Sequence, residues 1–330
     1  MLDSFPKISI VTPSYNQGKY IEQTIQSVLK QNYPNLEYII IDGGSTDDTV
    51  EIIKKYEQQF AYWVSEPDKG QTDAINKGFA KCTGDIFNWI NSDDYYEPGC
   101  FNKISSLFQN PAINVVCGME WSFHDEQPEV KTLNIGSIIK KNIYETIRIG
   151  IIDQPCTFFR KKKIDALFPL DESLHYVMDK QLWYGYLLKY GQEQILQTDE
   201  VFTWFRLHSH SKSIEQQKYF EGETDLLNLS LFRRLNAPSA LEEQLNADHR
   251  VASTINWNIL IPHSKNILAA FATYYGEQHY VKNNLTGTAK LMKLVKHWKG
   301  IRMNAKEWKL WIVACVMPQP ITRLIKKLNK

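Results

Sequence analysis

The chain is poor in the signals that most quickly assign a function. Its five cysteines, Cys82, Cys100, Cys117, Cys156 and Cys315, form no CxxC pair and no zinc-ligand spacing. An odd set of scattered thiols argues against a disulfide framework, so a reducing cytoplasm is the expected setting. The opening MLDSFPKISIV lacks the charged-then-apolar order of a secretory signal. The longest apolar run, Leu310 to Met317, is far short of the roughly 20 residues a spanning helix needs, and no transmembrane helix is expected. The loop after the first predicted strand has no GxGxxG, which argues against a nicotinamide or flavin site. There is no GxxxxGK[ST] and no GxSxG, which removes P-loop enzymes and the hydrolase elbow. Internal repeats and low-complexity tracts are also missing.

What is present suits a folded chain with a substantial core. Apolar residues make up 43% of the 330, which excludes wholesale disorder. Nine Trp and seventeen Tyr serve either core packing or the lining of sugar and base sites. The net charge of +1 hides an asymmetry. From Lys282 to the end there are twelve Lys or Arg against one acid, Glu307, a local charge of +11, which leaves about −10 on the rest.

The first hundred residues alternate strand and helix. Ile8 to Val11 reads as a buried strand opening into a loop over Thr12 to Gly18, and Ile21, Ile25, Val28 and Leu29 follow at helical spacing. Tyr38 to Ile41 is a second strand ending at Asp42. Ser45-Thr46-Asp47-Asp48 has the form of a capping box before the next helix. Tyr62 to Val64 is a third strand, Thr72 to Lys81 a helix, and Asp85 to Ile90 a fourth strand running into Asn91-Ser92-Asp93-Asp94. Strands and helices in this order predict a mostly parallel sheet with right-handed crossovers. Ligands of such sheets sit beyond the carboxyl ends of the strands. Those ends carry Pro13 to Asn16, Asp42, Glu66 to Gly70, and Asp93 with Asp94.

Beyond about residue 110 the pattern is mixed. Strands are expected at 115–117, 157–159 and 201–207, and a helix from Asp179 to Tyr190. From about Ser213 the reading is helical: Tyr219 to Leu235, Ala240 to Leu260, then basic amphipathic segments.

Asp93-Asp94 carries the strongest chemistry. Hard carboxylate oxygens at a strand end suit Mg²⁺ or Mn²⁺, which keeps few protein ligands and completes its shell with substrate phosphates. A solvated turn or helix cap is the plain alternative for such a pair.

At this point the motifs Ile8-Ser9-Ile10-Val11-Thr12-Pro13-Ser14-Tyr15-Asn16, Tyr38 to Asp47, Ala74-Ile75-Asn76-Lys77-Gly78 and Asp85 to Asp94 together resemble glycosyltransferase family 2, with its GT-A fold. The resemblance is dense over residues 7–97, thinner to about 212, and absent beyond. It implies an inverting transfer of one hexose-type sugar from a UDP-, dTDP- or GDP-linked donor to a growing surface glycan or lipid-linked acceptor. It further implies that Pro13 and Tyr15 border the nucleoside and that Asp42 holds the base or ribose. A carboxylate can accept the N3–H of uracil or thymine, or the paired N–H groups of guanine; the alternative is a turn residue capping Gly43-Gly44. Asp73 lies in a segment that covers the donor, or serves the start of its helix. Asp93 is implied to contact ribose or metal, and Asp94 to bind the metal.

Asp179, in Met178-Asp179-Lys180-Gln181-Leu182-Trp183, resembles the family's general base; a plain helix N-cap is the alternative. Met178 stands where Glu is commoner, and Gly185 where Arg is frequent. His208, in Arg206 to Lys212, resembles a loop that closes over the donor, where an imidazole completes the metal shell or touches the diphosphate. Processive synthases of the family carry Gln-x-x-Arg-Trp, which is absent, so single transfers are expected. Two other classes stay open: a catalytically silent assembly subunit, and a metal-dependent nucleotidyltransferase, whose Gly-rich basic first loop Thr12 to Gly18 lacks.

The expected organisation is an α/β GT-A domain over 1–212, Rossmann-like with helices flanking the sheet, and a helical extension over 213–330. In the extension Leu291, Leu294, Val295, Trp298 and Ile301 share a helical face bordered by Lys290, Lys293, Lys296 and Lys299. Ile321, Leu324, Ile325 and Leu328 repeat the spacing. Basic amphipathic helices suit an anionic membrane surface, which places the chain at the inner face of a membrane. Core-covering helices or a protein groove are the alternatives. No nucleic-acid motif accompanies the charge.

Overall fold

A computed structural model describes residues 5–208, 217–245 and 263–317, with 255, 257 and 261 singly. It divides into two compact units, Met1–Ile139 with Gly150–Glu221, and Lys140–Ile149 with Gly222–Lys330.

The first unit begins β1 (Ile8–Ser14), α1 (Ile21–Leu29), β2 (Leu36–Asp42), α2 (Thr49–Lys55), β3 (Tyr62–Ser65), α3 (Gln71–Lys81) and β4 (Ile86–Trp89). It continues with β5 (Tyr95–Tyr96), α4 (Cys100–Phe108), β6 (Val115–His124) and β7 (Gln127–Asn134). After the excursion into the second unit come β8 (Thr157–Arg160), α6 (Met178–Tyr190) and β9 (Ile195–Leu207). Among the described residues these strands form one nine-stranded sheet in the order β3-β2-β1-β4-β8-β6-β9-β5, with β7 on β6. The β3-β2-β1-β4 half is parallel. β8 runs antiparallel to both β4 and β6, while β6 and β9 are parallel to each other.

The parallel half forms because its strands are apolar on both faces. All seven residues of β1 are buried, as expected for strands covered by helices on each side. Helix α1 buries Ile21, Thr24, Ile25 and Val28, an i, i+3, i+4, i+7 stripe against the sheet. Helix α3 lies so close to β1 that a Cβ at Gly78 would stand 2.4 Å from Val11 Cγ1. Only glycine fits there without moving the strand.

Two local expectations are corrected. β1 continues through Thr12-Pro13-Ser14 instead of ending at Val11, because Pro13 and Ser14 pair with Ile41 and Asp42 of β2. The Ser45–Asp48 box does not cap α2. Asp48 occupies the cap position without a side-chain bond, and Asp47 Oδ1 accepts the Thr49 amide at 3.0 Å instead. β7, an exposed strand with no buried residue, has its two aliphatic residues, Val130 and Leu133, on opposite faces and so carries no apolar alternation by which it could be predicted.

The second unit contains α5 (Ile143–Ile149), most of α7 (Gln217–Arg234), α8 (Ser239–Glu242), α9 (Ser264–Val281), α10 (Leu285–Lys299) and α11 (Ala305–Trp311). α9 packs on α5 and α10, and α10 on α11. The helix expected over Ala240–Leu260 is four residues long where described, and most of 246–260 lies outside the described residues. The first amphipathic stripe is spent on packing: Leu291 and Val295 are fully buried, and Leu294 and Trp298 half-buried, while Ile301 stays exposed. The second stripe, Ile321 to Leu328, lies outside the described residues. Several basic groups are engaged, with Lys290 on Glu243 and Lys299 on Glu307, each at 2.6 Å. Lys296 Nζ lies 3.9 Å from the Trp308 ring centre. Among the described residues no helix is long and apolar enough to cross a membrane. All five cysteines are unpaired.

Candidate active site

The loops after β1 and β2 are sewn to each other. Gly43 N donates to the Ser14 carbonyl at 2.8 Å. Asn16 N donates to Ser45 Oγ at 2.7 Å, and Thr46 N to Asn16 Oδ1 at 2.8 Å. Asp42, at the end of β2, is fully buried. Its Oδ2 accepts from Ser45 N at 2.9 Å, Gly44 N at 3.2 Å and Ser65 Oγ at 2.7 Å, and its Oδ1 from Ser45 Oγ at 2.5 Å. This carboxylate therefore organises its own turn. Two of the four donors are serine hydroxyls, which can rotate away to release an oxygen. Pro13 is buried in β1, whereas Tyr15 is 59% exposed at the loop crest. Between them, Ser14 Oγ is buried with no hydrogen-bond partner, an unsatisfied polar group at the carboxyl edge.

Asp73 sits in the first turn of α3, where Oδ2 accepts the Lys69 amide at 3.0 Å and meets Lys77 Nζ at 3.3 Å. That is a helix-start arrangement. The same turn reaches the acidic pair through Gln71, whose Nε2 donates to Asn91 Oδ1 at 2.7 Å.

Asp94 is buried and its Oδ1 accepts the Arg206 amide at 2.9 Å. Asn91 Nδ2 lies 3.3 Å from its Oδ2. Burial, then the adjacent Asp93 charge, hold its carboxyl well above the usual range. Asp93 is more open and meets His208 Nε2 at 3.1 Å. The structure thus brings together Asp93, Asp94 and His208. Arg206 fixes the geometry of the group: Nε donates to the Asp93 carbonyl at 2.9 Å, and the two terminal nitrogens to Asp125 at 2.6 Å and Gln23 at 2.5 Å. No group of three His, Cys, Asp or Glu side chains among the described residues is arranged around a common point for a metal ion. Two carboxylates with one imidazole suit Mg²⁺ or Mn²⁺ as a partial ligand set, the kind a substrate diphosphate completes.

Asp179 lies in the first turn of α6. Val177, not Asp179, occupies the cap position, and no side chain caps this helix, so the N-cap alternative does not describe it. Its Oδ1 accepts the Lys180 amide at 2.7 Å. Part of its surface stays accessible, but burial pushes its carboxyl up to about 6 against the pull of that amide. Asp153 adds a smaller upward push. Burial, then the Asp153 charge, push the carboxyl of Glu120 in β6 up as well. Helix α6 is buried almost all round, and a Cβ at Gly185 would meet Leu167 Cδ2 at 3.2 Å, a tight fit at the position where the family often has arginine.

Residues 9–168 match the model of glycosyl transferase family 2. That stretch belongs to the family. An uncharacterized glycosyltransferase of Mycobacterium tuberculosis is 42% identical over 96 residues, 29% of this chain and 37% of the relative. The putative teichuronic acid biosynthesis glycosyltransferase TuaG of Bacillus subtilis is 38% identical over 101 residues, 30% of this chain and 40% of the relative. The chain thus spans well under half the length of these relatives. Among solved structures it is similar to TarS 1–349 of S. aureus in complex with UDP-GlcNAc, with a TM-score of 0.58 and 16% identity over 93% of this chain and 90% of that one. At that identity the likeness is one of fold, and the GT-A α/β architecture with a helical C-terminal region is the one expected.

The match to glycosyl transferase family 2 includes Pro13, Tyr15, Asp42, Asp73, Asp93 and Asp94 and ends before Asp179 and His208. Sequence reasoning missed Arg206, Glu120, Asp153 and Asp125. Arg206 lies within the strand expected at 201–207 and is in β9, paired through the sheet to β6, but strand spacing does not say that its side chain reaches the acidic pair. The other three are isolated acids in mixed-pattern sequence.

Proposed function

We propose that this chain is an inverting, non-processive, metal-dependent glycosyltransferase that moves one sugar from a UDP-, dTDP- or GDP-linked donor to a surface glycan or lipid-linked acceptor. The observation that carries the reading is Asp179. It is a half-buried carboxylate with its pKa pushed up to about 6, ionised at neutral pH yet basic enough to take a proton. It accepts the proton of the acceptor hydroxyl as that oxygen attacks the anomeric carbon opposite the nucleotide. One base and one displacement give inversion. Tyr15 and Pro13 border the nucleoside, Asp42 receives the base once its serine hydroxyls turn away, and Asp73 fixes the loop beside the donor. Asp94 and Asp93, with His208, would hold Mg²⁺ or Mn²⁺, which when bound neutralises the donor diphosphate. Arg206 keeps those carboxylates in register.

The TuaG relative supports an acceptor of the cell-surface polysaccharide class. The basic segment from Lys282 supports a peripheral place at the inner, anionic face of a membrane, held chiefly by charge. The test is a screen of nucleotide sugars for turnover with and without Mn²⁺, using wild type and Asp179→Asn. A donor consumed by wild type and spared by the variant supports the reading. No metal-stimulated turnover with any donor would overturn it.

A further inference from the structure

The last residues of β1, β2 and β3 form a row across the carboxyl edge of the sheet. Ser14 is the register partner of Asp42, and Asp42 that of Ser65. Register partners project from the same face, on strands roughly 5 Å apart, so two serines flank one carboxylate. The flanks are not equivalent. Ser65 Oγ donates to Asp42 Oδ2 at 2.7 Å, whereas Ser14 Oγ is sealed from solvent with no hydrogen-bond partner among the described residues. Two residues back on the same face of β1, the Thr12 hydroxyl is paired with the Tyr38 hydroxyl at 3.1 Å. The unpaired hydroxyl therefore belongs to the edge position alone, and leaving such a group unpaired in a buried place costs stability.

The two oxygens of Asp42 also differ. Oδ2 holds the Ser45 amide at 2.9 Å, the Gly44 amide at 3.2 Å and the Ser65 hydroxyl. Even with Ser65 turned away, two backbone donors fill it. Among the described residues Oδ1 accepts from the Ser45 hydroxyl alone, at 2.5 Å, a bond that one side-chain rotation removes. The site thus offers a ligand one acceptor oxygen, bordered by hydroxyls that each have a hydrogen to give.

We propose that this row selects a dioxopyrimidine base, uracil or thymine, and that Ser14 is a specificity-determining residue that donates to a carbonyl beside N3. The proposal rests on the reading of Asp42 as the acceptor for the donor's base. The edge of a dioxopyrimidine runs acceptor, donor, acceptor. Its N3–H meets Oδ1, one flanking carbonyl takes the Ser14 hydrogen, and the hydrogen that Ser45 withdraws from Oδ1 is free for the other. Guanine runs acceptor, donor, donor. Its paired N–H groups call for both carboxylate oxygens, and Oδ2 is already filled by amides. Adenine and cytosine turn a nitrogen lone pair toward the carboxylate where a hydrogen is needed, and are repelled.

Calorimetric titration of the full chain with UDP, dTDP, GDP, ADP and CDP, each with Mn²⁺, reads the preference without turnover. UDP and dTDP should bind roughly tenfold or more tightly than the other three, the scale of one buried polar group left unpaired. Ser14→Ala should weaken UDP binding roughly three- to tenfold, the scale of one neutral hydrogen bond. The free variant should melt no lower than wild type, because no bond within the protein is lost. GDP, ADP or CDP bound as tightly as UDP would overturn the pyrimidine selection and leave the transferase reading standing. Unchanged UDP affinity in Ser14→Ala, or a variant that melts lower or fails to fold, would overturn the role of Ser14, while the comparison of bases needs wild type alone. Binding of none of the five would overturn the reading of Asp42 and this proposal with it.

Discussion

His208 Nε2 lies 3.1 Å from Asp93 Oδ2, so the residue that follows β9 rests against the first carboxylate of the pair that follows β4. The His208 ring is 4.7 Å from that of Tyr20, at the entry to α1. A single imidazole thus connects the first helix, the acidic pair and the start of the segment after β9. Any cation bound by Asp93 and Asp94 has this ring as a neighbour.

The first prediction follows from that neighbourhood. Asp94→Ala should lower kcat/KM by roughly two to three orders of magnitude, the scale of losing a group that stabilises departing charge. A chelator should reproduce the loss in wild type, and Mn²⁺ should restore it only there. His208→Ala should weaken metal-dependent stabilisation by the nucleoside diphosphate, read as a smaller thermal shift on adding both. Wild-type turnover in chelator would remove the metal from the mechanism.

The second concerns pH. Asp179 must be ionised to act, and its pKa is pushed up to about 6. The rate should therefore fall as pH drops through about 6 and level off above it. Asp179→Asn should reduce kcat by roughly two to four orders of magnitude with little change in donor affinity. Stability should move the other way. A carboxyl whose folded-state pKa is raised favours folding below its unfolded value, and that advantage is lost as pH rises through 6. The uncharged Asn variant should consequently melt higher than wild type at neutral pH. A lower melting point would mean the side chain is structural.

The parallel half of the fold was legible because its signals are local. Ile8 to Val11 and Tyr38 to Ile41 are continuous apolar strands, and α1 and α3 show helical spacing within one window. The acidic pair was legible for the same reason, since Asp93 and Asp94 are adjacent and end a strand. Arg206 depends on the β8-β6-β9 order, which brings together residues far apart in the chain, and no short window contains that order. The stripe on α10 shows the limit of periodicity. Leu291 and Val295 were correctly read as one apolar face, but spacing cannot say whether such a face meets lipid or, as here, neighbouring helices.

A third prediction tests the clamp under the acidic pair. The Arg206 guanidinium is nearly buried, with 8% of its side chain exposed, and pairs with Asp125 at 2.6 Å. Bonds from Lys19 and then Arg206 hold the Asp125 carboxyl at about 2. Arg206→Ala leaves Asp125 to Lys19 and leaves the Asp93 carbonyl without its donor. It should cost about 1–3 kcal/mol in urea unfolding. Arg206→Lys should recover only part, because an ammonium cannot reproduce the planar fork that spans Asp93, Asp125 and Gln23. Full recovery by lysine would reduce the clamp to a simple charge.

The last prediction concerns the basic segment. With Leu291 and Val295 buried, the apolar surface left to it among the described residues is small: Ile301, 88% exposed, with Ile312 and Val316. Membrane binding would then be mainly electrostatic. Each engaged basic residue contributes about 1 kcal/mol near an anionic surface, and salt removes that within a Debye length. Cutting the chain after Val281 is a poor test, since it strips α10 from α9, where Leu291 and Met292 pack against Gly276, so collapse is expected from packing alone. Charge reversal is cleaner. Lys282, Lys293, Arg302 and Lys309 are exposed, and replacing them with Glu leaves the buried stripe intact. Wild type should co-sediment with anionic liposomes at low salt, leave them at high salt, and ignore neutral ones. The fourfold variant should lose binding by at least about a hundredfold while keeping its melting point and its activity on a soluble acceptor. Undiminished binding by the variant, or equal binding to both liposome types, would overturn the electrostatic account. Absence of binding by wild type in every condition would remove the membrane from the proposal and leave these helices as a cover for the second unit's core.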